Sequence, residues 1–308
     1  MGIRPYIQFY PTLRCNYHCQ FCFNKGLPAT DDVALDDFTR IASILKDAGI
    51  ECIDILGGEP TLHPGLLLLL DIVNRQQMKS NLSSNGTNIA ALSSLSERYD
   101  REFLRIGISI NDQEISEDLH TYIMRHKPVL KSVMTVATGI PKSGRQYLDL
   151  PGIDYYLLYR DSADKQDLEH CMPFYQFYEK LTDLKRRNHG LNGVFCSGFI
   201  SEDDNCHSLQ SVRCPAGTAK LSLLADGSVY PCYLFFRHKE FELGNILKDD
   251  FQKIWQHPIL NFFQTFSGNK CPDQECNLFP SCHGGCPAMS YLAYHKLDAP
   301  DPRCLMTT

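Results

Sequence analysis

Residues 1–195 predict an α/β fold, an open, partial (β/α)6 barrel of the TIM-like type, and residues 196–308 predict a smaller cysteine-rich domain. Three observations carry this reading. Short apolar runs alternate with helical patterns through the first part of the chain, the texture changes near residues 195–205, and seven of the fourteen cysteines lie between Cys214 and Cys304. Alternating β and α elements imply parallel strands joined by right-handed crossovers. Six strands are too few to close an eight-stranded barrel, and side chains that do chemistry gather at the strands' C-terminal ends.

The strand candidates, in order, are 6–10 (YIQFY), 52–56 (CIDIL), 79–84 (KSNLSS), 104–110 (LRIGISI), 132–137 (SVMTVA) and 154–159 (DYYLLY). Between the first two, Leu35, Phe38, Ile41, Ala42 and Leu45 keep helical spacing and Gly49 closes the segment. The run GLLLLLDIVNRQ reads as a second, buried helix. After residue 196 the clearest element is a hairpin, LSLLADGSVYPCY, turning at Asp226-Gly227. Beyond Trp255 the chain is rich in Cys, Pro and Gly and poor in apolar periodicity, so bound metal would have to organise it.

The composition narrows the classes. With 308 residues and 43% hydrophobic content the chain can bury a sizeable core and does not need disulfides. A net charge of −6 without a basic block argues against a nucleic-acid or membrane-surface partner. The N-terminus lacks a secretory apolar region, and the run Leu66–Leu70 falls far short of the ~20 residues that span a bilayer. The expectation is a soluble, cytoplasmic protein, in which crowded cysteines signal metal or redox centres rather than a disulfide framework.

Cys15, Cys19 and Cys22 follow directly on the first strand as Cys-x3-Cys-x2-Cys. Three thiolates converging from one loop suit a [4Fe–4S] cluster with one iron left open. Zinc completed by His18, or three incidental core thiols, are the plainer readings. The motif resembles the signature of the radical S-adenosylmethionine (SAM) enzymes. That resemblance implies that SAM chelates the open iron, that the reduced cluster cleaves SAM to a 5′-deoxyadenosyl radical, and that Phe21 packs on the adenine. The LGGEP stretch at 56–60 resembles the family's second motif, where Gly57 and Gly58 allow close backbone approach to a ligand and Glu59 accepts from SAM's ammonium group. A simple strand-to-helix turn is its plainer reading. By the same resemblance, Ser84, Ser109 and Asn111 at the ends of strands three and four are candidate SAM contacts, against ordinary turn chemistry. Arg160, ending strand six, could pair with the SAM carboxylate or with a surface acid.

The later cysteines run Cys214, Cys232 (in Gly-x4-Cys), Cys271, Cys276, Cys282, Cys286 and Cys304. With the flanking RCPAG, DGSVYPCY and CHGGCPA stretches they resemble the SPASM extension of radical SAM enzymes, which houses two auxiliary [4Fe–4S] clusters. A zinc knuckle is the plainer reading. The family's Cys-x2-Cys is here the longer Cys271-x4-Cys276. The resemblance implies an inner cluster on Cys214, Cys232 and Cys286 and an outer one on Cys271, Cys276, Cys282 and Cys304, three clusters in all. Six residues after Cys214, where some relatives carry another cysteine ligand, stands Lys220, so the inner cluster is expected to keep an open iron unless Cys196 or Cys206 folds back. Cys52 reads as core, and Cys171 is unassigned.

The resemblance implies a radical oxidoreductase fed by an electron donor such as flavodoxin or ferredoxin. It would modify a ribosomally made peptide by cross-link, thioether formation, epimerisation or oxidation, or else oxidise or decarboxylate a small metabolite. An electron-transfer protein is the non-enzymatic alternative. Only 14 residues precede Cys15, so a leader-peptide-binding module is expected to be a separate protein. Where sulfatase maturases of the family place a basic aspartate after the Gly-x4-Cys cysteine, this chain has Tyr233, which argues against that particular oxidation.

Overall fold

The computed structural model describes residues 5–194 and 214–305, apart from 112, 137, 138, 149, 163, 189 and 274. The expected domain boundary and Cys196 and Cys206 lie outside the described residues. The first part alternates β1 (Tyr6–Tyr10), α1 (Leu35–Asp47), β2 (Cys52–Ile55), α2 (Leu66–Arg75), β3 (Lys79–Ser84), α3 (Ile89–Arg98), β4 (Leu104–Ser109), α4 (Glu117–His126), β5 (Val129–Val133), β6 (Tyr155–Leu158), α5 (Phe174–Arg187) and β7 (Leu191–Val194). The C-terminal part adds β8 (Lys220–Leu224), β9 (Ser228–Tyr230) and β10 (Gly244–Asn245).

Local sequence explains the helices. In α1, Phe38, Ile41, Ala42 and Leu45 form the buried stripe, with Asp36 and Asp37 in the first turn and Lys46 in the last, as the helix dipole favours. The leucine run of α2 is amphipathic rather than wholly buried: Leu66, Leu69, Leu70 and Val73 face the core, while Leu67 and Leu68 are exposed. Ser116 caps α4 by accepting from the Leu119 N–H, and Lys127 ends it in the left-handed region.

The sheet differs from expectation in three ways. Its order is β10-β9-β8-β1-β2-β3-β4-β5-β6-β7, so the six expected strands sit inside a run of eight parallel ones. The extra strand β8 comes from the cysteine-rich part and lies parallel beside β1, with Tyr6 opposite Lys220 and Tyr10 opposite Leu224. Strand five also starts three residues earlier than the apolar pattern suggested. After Val133 the chain leaves the sheet: Val136 is exposed and Thr135 bridges Gly139 locally. The hairpin behaves as expected, with β8 and β9 antiparallel and Gly227 in the left-handed region at its turn.

One apolar core runs from Ile7 in β1 to Ala288, joining both parts of the chain. Phe9 packs on Phe38 with ring centroids 5.0 Å apart, and burying a side chain of this size stabilises by roughly 1.5–3 kcal/mol. The sheet also carries buried polar groups that seldom sit in a plain core. Gln8 accepts from the Ser222 hydroxyl at 3.2 Å, linking β1 to β8, and Asp54 accepts from Asn81 at 2.5 Å.

Candidate active site

The cysteine loop is anchored before it reaches its thiols. Leaving β1, Thr12 accepts the Arg14 N–H through its hydroxyl at 3.1 Å. The Thr12 and Arg14 carbonyls then accept from Gly58 at 2.9 Å and Glu59 at 2.7 Å. A Cβ on Gly57 would stand 2.4 Å from the Thr12 carbonyl oxygen, and one on Gly58 2.1 Å from that of Arg14. The glycine pair is therefore needed first for close approach to the chain that presents Cys15, an approach the sequence reading assigned to a ligand. Further along, Asn24 donates to the Leu13 carbonyl at 2.5 Å, and the Phe23 ring meets Tyr10 and Tyr233 edge-on at 5.3 and 5.1 Å. The loop is thus pinned to β2 on one side and to the C-terminal part on the other.

Above the strand ends lies a cavity of about 240 Å³. Cys15, Cys19, Cys22, Phe21, Gly57, Gly58, Glu59, Ser84, Ser109, Asn111 and Arg160 all line it. Several already have structural work. Glu59 is buried, and its Oε1 accepts from the Thr61 N–H (3.0 Å), the Thr61 hydroxyl (2.6 Å) and the Ser84 hydroxyl (2.8 Å), while Oε2 accepts from the Asn85 N–H at 2.7 Å. The carboxylate therefore ties the end of β2 to the end of β3. The Asn111 side chain accepts from the Val133 N–H at 3.0 Å, which joins β4 to β5. The Ser109 carbonyl accepts from Gln113 at 2.7 Å.

Sequence reasoning missed Lys131, whose Nζ donates to the Ser83 hydroxyl at 2.6 Å inside this cavity. Placing strand five three residues late left Lys131 outside it and so hid its inward register. Desolvation pushes its amine down to about 8, against the opposing pull of Asp54 and Glu59.

A second cavity of about 190 Å³ is lined by Cys214, Cys232, Cys282 and Cys286, with Lys220 and Arg303. Cys304 feels Cys282, Cys271 and Cys276, and burial with these neighbours raises its thiol to about 11. Cys282 thus belongs to both groupings. Tyr159, Asp161, Tyr233 and Leu234 line both cavities and form the wall between them. Within that wall Arg303 is fully buried, paired with Asp161 at 3.0 Å and Asp301 at 2.7 Å, and stacked 4.2 Å over the Tyr159 ring. Asp301 also accepts from the Cys286 N–H at 2.8 Å, and the Tyr233 hydroxyl donates to Asp161 at 2.7 Å. Burial raises the Asp161 carboxyl, while Arg303 and Tyr233 pull it back. Of the remaining thiols, Cys171 is buried, and Cys52 is half-buried with its thiol toward Asp54 at 3.8 Å.

The parallel sheet, the thiol loop at its C-terminal mouth and the adjoining cysteine cavity define an iron–sulfur radical enzyme. Residues 9–140 match the radical SAM superfamily, and residues 214–287 match the SPASM iron–sulfur cluster-binding domain. The chain is 38% identical to mycofactocin maturase MftC of Mycolicibacterium smegmatis, over 96% of this chain and 81% of MftC. It is 24% identical to the antilisterial bacteriocin subtilosin biosynthesis protein AlbA of Bacillus subtilis, over 89% of this chain, and spans 65% of AlbA's length. Streptococcus suis SuiB, solved bound to the precursor peptide SuiA, shares the fold with a TM-score of 0.70 at 19% identity, covering 100% of this chain and 77% of SuiB. The chain belongs to the radical SAM enzymes that carry a SPASM domain.

The residues present fit the iron–sulfur and SAM cofactors of that family. None of the twelve described cysteines is in a disulfide. Burial and mutual proximity raise the Cys19 thiol, and burial raises Cys22, so holding them as thiolates calls for a cationic centre. Among the described residues no three His, Cys, Asp or Glu side chains close on a single metal ion; ligands around a cluster of several irons stand farther apart than around one ion. For a ligand carboxylate the cavity offers Lys131 and Arg160, and the buried Arg160 Nε and Nη2 have no hydrogen-bond partner among the described residues. No helix among the described residues is long and apolar enough to cross a membrane.

Proposed function

We propose that this chain modifies a ribosomally synthesised peptide by radical SAM chemistry. The observation that carries the reading is the thiol loop hydrogen-bonded to the Gly-Gly-Glu turn over one cavity at the sheet's C-terminal mouth. The names of MftC and AlbA and the peptide bound to SuiB support a peptide substrate. A wider depression of about 680 Å³ adjoins the cofactor cavity and has room for an extended segment of chain. When bound, the reduced cluster and SAM together supply a 5′-deoxyadenosyl radical that takes a hydrogen atom from substrate.

The protein's part is binding, orientation and exclusion of water. Cys15, Cys19 and Cys22 hold the SAM-binding cluster. Cys214, Cys232 and Cys286 hold an inner auxiliary cluster beside Lys220, and Cys271, Cys276, Cys282 and Cys304 an outer one. Phe21 stacks on the adenine, the Gly57-Gly58 backbone and Glu59 receive the SAM ammonium group, and Ser84, Ser109 and Asn111 complete the polar rim. The enzyme works in the cytoplasm with a flavodoxin- or ferredoxin-type donor. Anaerobic holoenzyme given SAM, dithionite and a candidate precursor is expected to release 5′-deoxyadenosine and change the peptide's mass. Deoxyadenosine without change in any peptide encoded beside the gene would turn the reading toward a small metabolite.

Glu59→Gln tests the turn. An amide nitrogen in place of either carboxylate oxygen faces an N–H or O–H that needs an acceptor, and the charge offered to SAM is lost. Charge-assisted bonds contribute roughly 1.5–3 kcal/mol, so SAM affinity should fall by about one to two orders of magnitude with the iron retained. Unaltered affinity by calorimetry would leave Glu59 with only its role in joining β2 to β3.

A further inference from the structure

Arg160 stands just beyond β6, where the cofactor cavity meets the wider depression, and it lines both. Exposed His18, Gln20 and Glu169 line the outer side of that depression, which therefore opens to solvent. The Arg160 backbone is fixed, because its carbonyl accepts from Arg303 at 3.0 Å. Its side chain is not spent in this way: Nε and Nη2 are buried and have no hydrogen-bond partner among the described residues. These two nitrogens form one edge of the guanidinium fork, whose parallel N–H bonds match the two oxygens of a carboxylate. Buried donors without an acceptor are costly, so such an edge marks a place for an anion. Of the nearby acids, Asp161 is engaged by Arg303 and Tyr233, and Glu169 stands exposed on the outer side of the depression.

Among the described residues two cations line the cofactor cavity, and only Lys131 is confined to it. Its ammonium bridges β5 to β3 through the Ser83 hydroxyl, in the field of Asp54 first and then of Glu59. We propose that the Nε/Nη2 edge of Arg160 anchors a carboxylate of the substrate peptide, its C-terminus or an Asp or Glu side chain, while Lys131 takes the carboxylate of SAM. The assignment rests on the radical SAM reading above and deepens it. It makes Arg160 a substrate-binding residue that fixes which stretch of peptide lies over the cofactor cavity.

The test uses anaerobically reconstituted holoenzyme and calorimetry with SAM and decarboxylated SAM, which lacks only the carboxylate. Wild type should prefer SAM by well over tenfold, since a charge-assisted bond alone supplies about that much. Lys131→Gln should cut that preference by about tenfold without erasing it, because SAM's carboxylate also chelates the open iron. Arg160→Gln and Arg160→Lys should keep it, with SAM Kd within about twofold of wild type. Phenylglyoxal labelling of Arg160, read by mass spectrometry on SAM-saturated wild type, then separates the carboxylate sources. N-acetyl-alanine presents a terminal carboxylate, the α-amide of N-acetyl-aspartate a side-chain one, and N-acetyl-alaninamide neither. Protection by one of the first two and not by the third is expected, and the protecting probe identifies the source. Loss of the SAM preference in the Arg160 variants, protection by SAM alone, or equal or absent protection by the three probes overturns the assignment. Failure of wild type to bind SAM at all overturns instead the radical SAM reading, and this inference with it.

Discussion

Changing Cys15, Cys19 and Cys22 together to alanine should remove about four irons and abolish 5′-deoxyadenosine formation while the C-terminal iron remains. The loop itself should survive, because its anchors are the Thr12 and Arg14 carbonyls, Asn24 and the Phe23 ring, none of which is a thiol. Circular dichroism and melting of the apoprotein should therefore stay close to wild type. SAM cleavage retained by the triple variant would defeat the assignment of this loop to the catalytic cluster.

Arg303→Met should be the most damaging single change to stability. Methionine fills much of the volume but leaves Asp161 and Asp301 facing each other without the guanidinium that pairs both. Removing one partner of a buried ionic group costs about 3–5 kcal/mol, which for a chain of this length corresponds to a melting point lower by roughly 5–8 °C. Acid should return part of the loss. Without the cation, burial holds the Asp161 carboxyl above its unfolded value, so the folded form binds protons more tightly and gains as pH falls through the folded pKa. Because Asp301 also holds the Cys286 N–H, iron bound near Cys232 and Cys286 should drop as well. A variant that melts like wild type at pH 7.5, with full iron, would show that the wall does not depend on this ion group.

Much of this architecture was legible because it rests on local pattern. The helical stripe of α1, the Asp-Gly hairpin and the strands opening into the thiol loop and the Gly-Gly-Glu turn are each specified within a dozen residues. What escaped depends on contacts distant in sequence. The apolar alternation continues through Val136, so only pairing with β6 shows that strand five is Val129–Val133 and that Lys131 points to the cavity. The glycine pair was legible as a close-approach turn, but the Thr12 and Arg14 carbonyls that also crowd it lie more than 40 residues away and give no local signal. Asp161 carried no motif, and its importance appears only where Arg303 and Tyr233 converge on it.

The pairing of β8 with β1 sets a condition on synthesis. Domains form from the N-terminus as the ribosome delivers about 5–20 residues each second. One hydrogen-bonding edge of β1 finds β2 early, but the other waits for Lys220–Leu224, more than 200 residues later. For many seconds the nascent chain therefore carries an open strand of YIQFY, an apolar template for misassociation. Closing so long a loop is also slow, which makes arrival of the hairpin the natural late step of folding. The segment that brings the later cysteines thus also seals the first strand, and a chain cut short before residue 220 should aggregate rather than persist as a free barrel.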